Sequence, residues 1–396
     1  MSKLAKSPFA VLALLGLVLL AGCGDSDSSA EAPSTGLPKE ITFGAAMAKT
    51  GYMAPYDAPF AAVEHLIEEK NARGGIDGHK IRVIHADTRS EPQQAVLATQ
   101  KLIEEGADVI FLSGESLNAA APAPLAEEHD LLNMSNANEP GFGPPTTGRL
   151  SFSSYPSLLS ESSAAASFLH ERGIEHPFLF RDTSIIYGRA YCSGFEQTWE
   201  HLGGSIAGSA DFENTDESVA SQISELRGTN ADAVVMCSYP PGGASAIKQI
   251  RAAGIDVPII GPGGFDGVFW LKGIPNTSEI FATSNGSTYD PPNAETAALF
   301  KKLKEAGINT DVSSSLLGAY AGGQLVLDAI EETQSVNGTT LADALEAKPH
   351  DTVVGRLSYT PTDHHPIRTW PIYDYTTGQP KLAAKVKPPF IPEYGN

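Results

Sequence analysis

Gly114-Glu115-Ser116 follows the apolar run "ADVIFL" of residues 107–112. A strand followed by G-x-S opens the G-x-S-x-G pattern that lifts a nucleophilic serine onto a sharp turn. Position 118 is Asn rather than the closing glycine, and that turn depends on small residues. Ser116 as the nucleophile of a serine hydrolase is therefore the remote enzymatic alternative. Asp363-His364-His365 puts three metal-ligand types in a row. Adjacent histidines without further spaced partners do not make a defined coordination set, so a solvated turn is expected and no metal. The glycines of "GPGGFDG" (261–267) fit neither the dinucleotide nor the P-loop spacing, and no cofactor is expected.

The elements around these residues alternate between two patterns. "EITFGAAMA" (40–48) reads as a strand and "TGYMAPYD" (50–57) as a loop. Phe60, Val63 and Ile67 recur at helical spacing until "NARGG" stops the helix. "HKIRVIHAD" (79–87) is the next strand. Ser90 with Gln93 predicts a capping box, with Pro92 in the first turn of the helix that follows. "ADVIFLSG" (107–114) is a short apolar run of the kind that fills a buried parallel strand. After a break near 148–157, strands are expected at "PFLFRD", "ADAVVMCS" (231–238), "VPIIG" (257–261) and "EIFATS" (279–284). Helices are expected at 189–202, in "ASAIKQIRAAG", and around 294–306 and 314–332, while 354–375 reads as strands joined by a turn. Such alternation predicts an α/β fold of two lobes with parallel sheets, whose ligands bind beyond the carboxyl ends of the strands.

Composition sets further bounds. With 27 basic and 47 acidic side chains the formal charge is −20, which argues against nucleic acid and against the protein body lying on anionic lipid. Lys3 and Lys6 precede an apolar run from Phe9 to Gly22 that is shorter than the roughly 20 residues of a spanning helix. Leu20-Ala21-Gly22-Cys23 resembles the lipobox of bacterial lipoproteins, where the signal is cut before the cysteine and the thiol is acylated. Residues 1–22 are then a lipoprotein signal peptide, and 23–38 the lipidated Cys23 with a Ser/Pro/Gly-rich tether. The membrane is reached through that anchor alone. Cys192 and Cys237 are compatible with a disulfide or with two buried thiols.

In their order, several segments resemble the type I periplasmic solute-binding proteins, specifically the leucine/isoleucine/valine-binding group of branched-chain amino acid ABC transporters. They are the stretch from "KTGYMAPYDAPF" to "ATQKLI", then "YGRAYCSGFEQTWEHLGG", "ADAVVMCSYPPGGASAIKQIRAAGIDVPIIG" and "AYAGGQLVLDAIEET". The likeness covers residues 40 to 380. It implies two Rossmann-like lobes joined by a three-crossover hinge near 153–157, 282–287 and 351–356. Lobe 1 is then 39–153 plus 287–351, and lobe 2 is 157–282 plus 356–396. The lobes would close on a small polar solute, an amino acid of branched-chain or aliphatic type. A small organic or aromatic acid or amide is the alternative ligand, and a ligand-sensing receptor the alternative role.

The implied partners are ABC permease subunits with their ATPases, and a monomer is expected. In the family two loops of the first lobe hold the ligand's polar head through hydroxyl and N–H groups, a cluster that suits a carboxylate. Here they match "SGESLN" (113–118), with Ser116, and "SNANEP" (135–140), with Ala137 and Asn138. The resemblance places Tyr56, Tyr187 and Tyr239 around the cleft. Gly263 stands where amino-acid binders carry the carboxylate that holds the ammonium, and Asp266 is the candidate substitute.

Overall fold

The computed structural model describes residues 36–394, so the predicted signal peptide, Cys23 and nearly all of the tether lie outside the described residues. What it describes falls in one compact unit.

The strand Glu40–Met47 is buried along almost its whole length and pairs parallel with Lys80–Asp87 on one side and Val109–Leu112 on the other. Asn133–Ser135 and Ser151–Ser153 complete a five-stranded parallel sheet. Strands buried on both faces need apolar residues at successive positions, which is why "VIFL" reads as a run. Ile41, Phe43, Phe111 and Phe152 meet Leu316, Leu325 and Leu345 in the core on one face. Ala46, Ile110 and Leu112 pack with Leu102 on the other.

The second sheet has seven strands in the order Lys381–Val386, Trp370–Asp374, Ile280–Thr283, Ile259–Gly261, Ala233–Cys237, Pro177–Asp182, Gly208–Phe212. Five of its strands are parallel, and the first two add as an antiparallel edge. Alternation along one strand feeds two cores. Leu179 and Val235 face Tyr191, Phe195 and Trp199, whereas Phe178, Phe180, Val234 and Met236 face Ile247 and Trp270. Cys192 and Cys237 form a disulfide with Cα atoms 5.5 Å apart, which resolves the open alternative. It ties the helix Ile186–His201 to the end of the strand Ala233–Cys237.

Three local expectations need correction. The helix Pro92–Glu104 begins after Glu91 with no side-chain cap, so the Ser90–Gln93 capping box is absent. Arg89 and Ser90 both adopt positive φ (54° and 61°), which turns Ser90 toward the preceding loop. There its hydroxyl accepts from the Met53 N–H and donates to the Thr50 carbonyl.

The segment 354–375 is not a single hairpin. Gly355–Leu357 pairs with His350–Thr352, and Leu357 and Tyr359 pack in the first core. Trp370–Asp374 belongs to the second sheet and turns back to Lys381–Val386. The chain thus reaches the second sheet at Trp370, later than 356.

His364 is not solvated. It is fully buried, stacked on Phe152 at 3.7 Å and bonded to the Ser151 carbonyl and to Glu346, and burial pushes its pKa down.

Candidate functional site

Each sheet reverses its strand order at one point, and there the loops leaving adjacent strands diverge and open a crevice. In the first sheet that point lies between Glu40–Met47 and Val109–Leu112, and buried Asp57 pins it. Its carboxylate accepts from the Ala48 N–H at 2.8 Å, the Ser113 hydroxyl at 2.7 Å and the Gly114 N–H at 3.0 Å. In the second sheet Asp182 plays the same part between Pro177–Asp182 and Ala233–Cys237, accepting from the Ser184 and Ser238 hydroxyls and from Asn214. These anchors fix the segments that carry Tyr56 on one side and Tyr187 and Tyr239 on the other.

The loops meet over one cavity of about 90 Å³. Tyr56, Asn138, Tyr187 and Tyr239 line it, together with Glu115, Glu139, Tyr155, Glu161, Gly263 and Gly264. Tyr239 packs edge-on against Tyr56 from the other lobe (centroids 6.4 Å) and against Tyr187 (5.6 Å). The Tyr187 hydroxyl accepts from the Gly264 N–H at 3.1 Å. A Cβ at Gly264 would lie 2.6 Å from that of Tyr239, so glycine is what lets this loop and the ring approach.

Ser116, Ala137 and Asp266 stand behind the wall. The Ser116 hydroxyl donates to Glu139 Oε2 at 2.5 Å, and its N–H points to the same oxygen at 3.2 Å. Ser116 opens the short helix Ser116–Ala120 without capping it. Glu115 caps it, accepting from the Asn118 N–H. The Ala137 N–H ends on the Ser135 hydroxyl. Asp266 is buried and accepts from the Gly267 N–H and from the N–H of Ser314, in the first turn of the helix Ser313–Thr333. It thereby links the loop after Ile259–Gly261 to a helix of the first core. Ser314 also receives the Tyr155 hydroxyl at 2.8 Å and the Asn285 N–H at 2.9 Å, which knots two chain crossings at the hinge.

Three lining glutamates were not among the sequence candidates, Glu115 beside Ser116 and two others. Glu139 lies inside the quoted "SNANEP", and burial aided by the charge of Glu115 raises its pKa to about 7. Glu161 sits in the helix Leu158–Glu171, where every position from Leu158 to Leu169 is buried. Its Oε1 accepts from the Gly263 N–H at 2.5 Å and from the Thr283 hydroxyl, and burial raises its pKa to about 7 as well. Its Oε2 reaches Asn138 of the first lobe at 3.4 Å. An acid amid small and apolar helical residues was the available signal, because a buried carboxylate needs partners.

Two α/β lobes whose switch-point loops share one cavity define a cleft-type binding protein. The chain belongs to the family described as periplasmic binding protein, whose model matches residues 40–380. It is 25% identical over 362 residues to the Leu/Ile/Val-binding protein of Escherichia coli strain K12, covering 87% of this chain and 92% of that one. Among solved structures it is similar to the branched-chain amino acid transporter substrate-binding protein LivJ of Streptococcus pneumoniae, in complex with isoleucine. That match has TM-score 0.78 and 23% identity, over 88% of this chain and 100% of that one. It is also similar to an ABC transporter solute-binding protein of R. palustris in complex with benzoate, with TM-score 0.76 and 21% identity, over 89% and 98%. At these identities the structural matches speak to the fold. Its fold is that of the type I periplasmic binding proteins.

Proposed function

We propose that this protein is the lipid-anchored, extracytoplasmic receptor of an ABC importer. It captures one small organic solute per chain and presents it, closed, to the permease subunits and their ATPases. The observation that carries this reading is the cavity walled by loops of both lobes, with Tyr56 and Tyr239 in edge contact across it. A solute touching both walls stabilises the closed arrangement over the open one, which is the differential affinity that closure requires. The lobes divide as 39–153 with 287–359 and 158–282 with 370–394. Anchoring rests on Leu20-Ala21-Gly22-Cys23, and no described helix is long and apolar enough to cross a membrane. Ser116 is no nucleophile in this reading, since its hydroxyl, behind the cavity wall, donates to the lining Glu139.

Amino acids are the first solutes to test, because related proteins are named for binding them, and aromatic acids the second. A thermal-shift screen of amino acids, amines, amides and acids tests the reading, since a solute bound only by the folded state raises the melting temperature. At least one class should do so. Cys23→Ser should release any exported protein from the membrane fraction, and a cleaved Cys23→Ser protein still held there would reject the anchor.

A further inference from the structure

The donors that the resemblance assigns to a ligand's carboxylate are already engaged. Both the N–H and the hydroxyl of Ser116 converge on Glu139, and the Ala137 N–H ends on Ser135. The protein has put its own carboxylate where an acidic ligand group would be received. Across the cavity Glu161 presents a second, held by the Gly263 N–H, the Thr283 hydroxyl and the Asn138 amide. All of these donors are neutral.

Among the described residues no Lys, Arg or His lines the cavity, whereas Glu115, Glu139 and Glu161 all do. Arg368 donates to Asn285 and lies over Trp370 at 5.9 Å, outside the wall. Buried charges are tolerated when paired, and here the protein supplies acids from both lobes and no counter-charge. The rest of the lining is aromatic, with Tyr56, Tyr155, Tyr187 and Tyr239 around one space. Ring faces attract cations through their quadrupole, most strongly where water is excluded.

Building on the receptor reading above, we propose that the solute is an organic cation without a carboxylate, a small amine, primary to quaternary. Its charge lies between Glu139 of one lobe and Glu161 of the other, against the tyrosine faces. Because the two acids belong to different lobes, the cation itself supplies the attraction that closes the cleft. A neutral amino acid would bring its own carboxylate against Glu139, and an aromatic acid would do so with no ammonium to compensate.

The test is isothermal titration calorimetry of the whole exported chain with shape-matched probes: 3-methylbutylammonium and choline against leucine, 4-methylpentanoate and benzoate. One or both amines should bind at least about tenfold more tightly than any carboxylate-bearing probe. Glu161→Gln should weaken that binding roughly 10- to 100-fold, the worth of a charge-assisted contact, with an unchanged unfolding transition as the check on folding. Tighter binding of leucine, 4-methylpentanoate or benzoate would overturn the cation inference and leave the receptor reading standing. Binding by none of these probes to the folded protein would overturn the cation inference, and the receptor reading would fall only if the wider thermal-shift screen were silent as well.

Discussion

The hydroxyl of Ser116 lies 2.5 Å from Oε2 of Glu139, and the two side chains are nearly inaccessible to solvent. A serine suited to hold a ligand's anion thus holds an internal one. Removing that anion should restore the subsite. In Glu139→Ala, both Ser116 donors become free, and affinity for leucine or benzoate should rise at least about tenfold, one charge-assisted hydrogen bond. Calorimetry showing no gain in a folded variant would mean that Ser116 does not face the ligand's position.

Asp266 should matter for the hinge and little for the solute. Asp266→Ala removes the acceptor of the Ser314 N–H at a helix start, a loss of about 0.5–2 kcal/mol by analogy with capping residues. Denaturant unfolding should show it. Loss of affinity beyond tenfold at unchanged stability would instead return Asp266 to the ligand.

Acidification should stabilise the solute-free protein and weaken cation binding. Burial raises Glu139, Glu161 and Asp266 to about 7, above the range these acids have in an unfolded chain. The folded state therefore binds protons more tightly between roughly pH 4 and 7, and stability falls as pH rises through that window. His364, pushed down by burial, opposes this as a single group, since it favours the folded state as pH rises. The melting temperature should be higher at pH 5.5 than at pH 7.5. A bound cation needs ionised acids, so its affinity should drop below pH 7 by up to about tenfold per unit for each acid that must ionise. Glu115 also faces this site with a raised pKa, and the lining tyrosines stay neutral throughout. An affinity that is flat or rising toward pH 5.5 would contradict the account.

The disulfide joins the helix that carries Tyr187 to the strand that precedes Tyr239. Replacing both Cys192 and Cys237 with Ala should cost about 2–4 kcal/mol, the usual worth of a cross-link closing a loop of this order. Thermal unfolding with and without reductant reads it. A wild type indifferent to reductant and a double variant as stable as wild type would show that the bond carries no load.

Much of the frame was legible because buried parallel strands must be apolar throughout. "VIFL" and "AVVMC" announce themselves for that reason. Ser90 misled because its role depends on a left-handed backbone that no side-chain pattern reports. The segment after Val354 misled because Leu357 and Trp370 look alike in sequence and belong to different cores. At the site, Tyr56, Asn138, Tyr187 and Tyr239 line the cavity, while Ser116, Ala137 and Asp266 sit one layer back. Likeness to a family aligns loop backbones. Which group those loops face is settled by a side chain from elsewhere, here Glu139 for Ser116 and Glu161 for Gly263.

Closure of two lobes on a solute is the central claim, and X-ray scattering tests it most directly. The radius of gyration would be measured with and without saturating 3-methylbutylammonium, choline, leucine and benzoate, each added alone. Any of these that binds should make the protein more compact, because a solute held between the two walls would draw Glu139 and Asn138 on one side toward Glu161 and Tyr239 on the other. A solute that saturates the protein in calorimetry and leaves the scattering curve of an open form unchanged would contradict closure on the ligand.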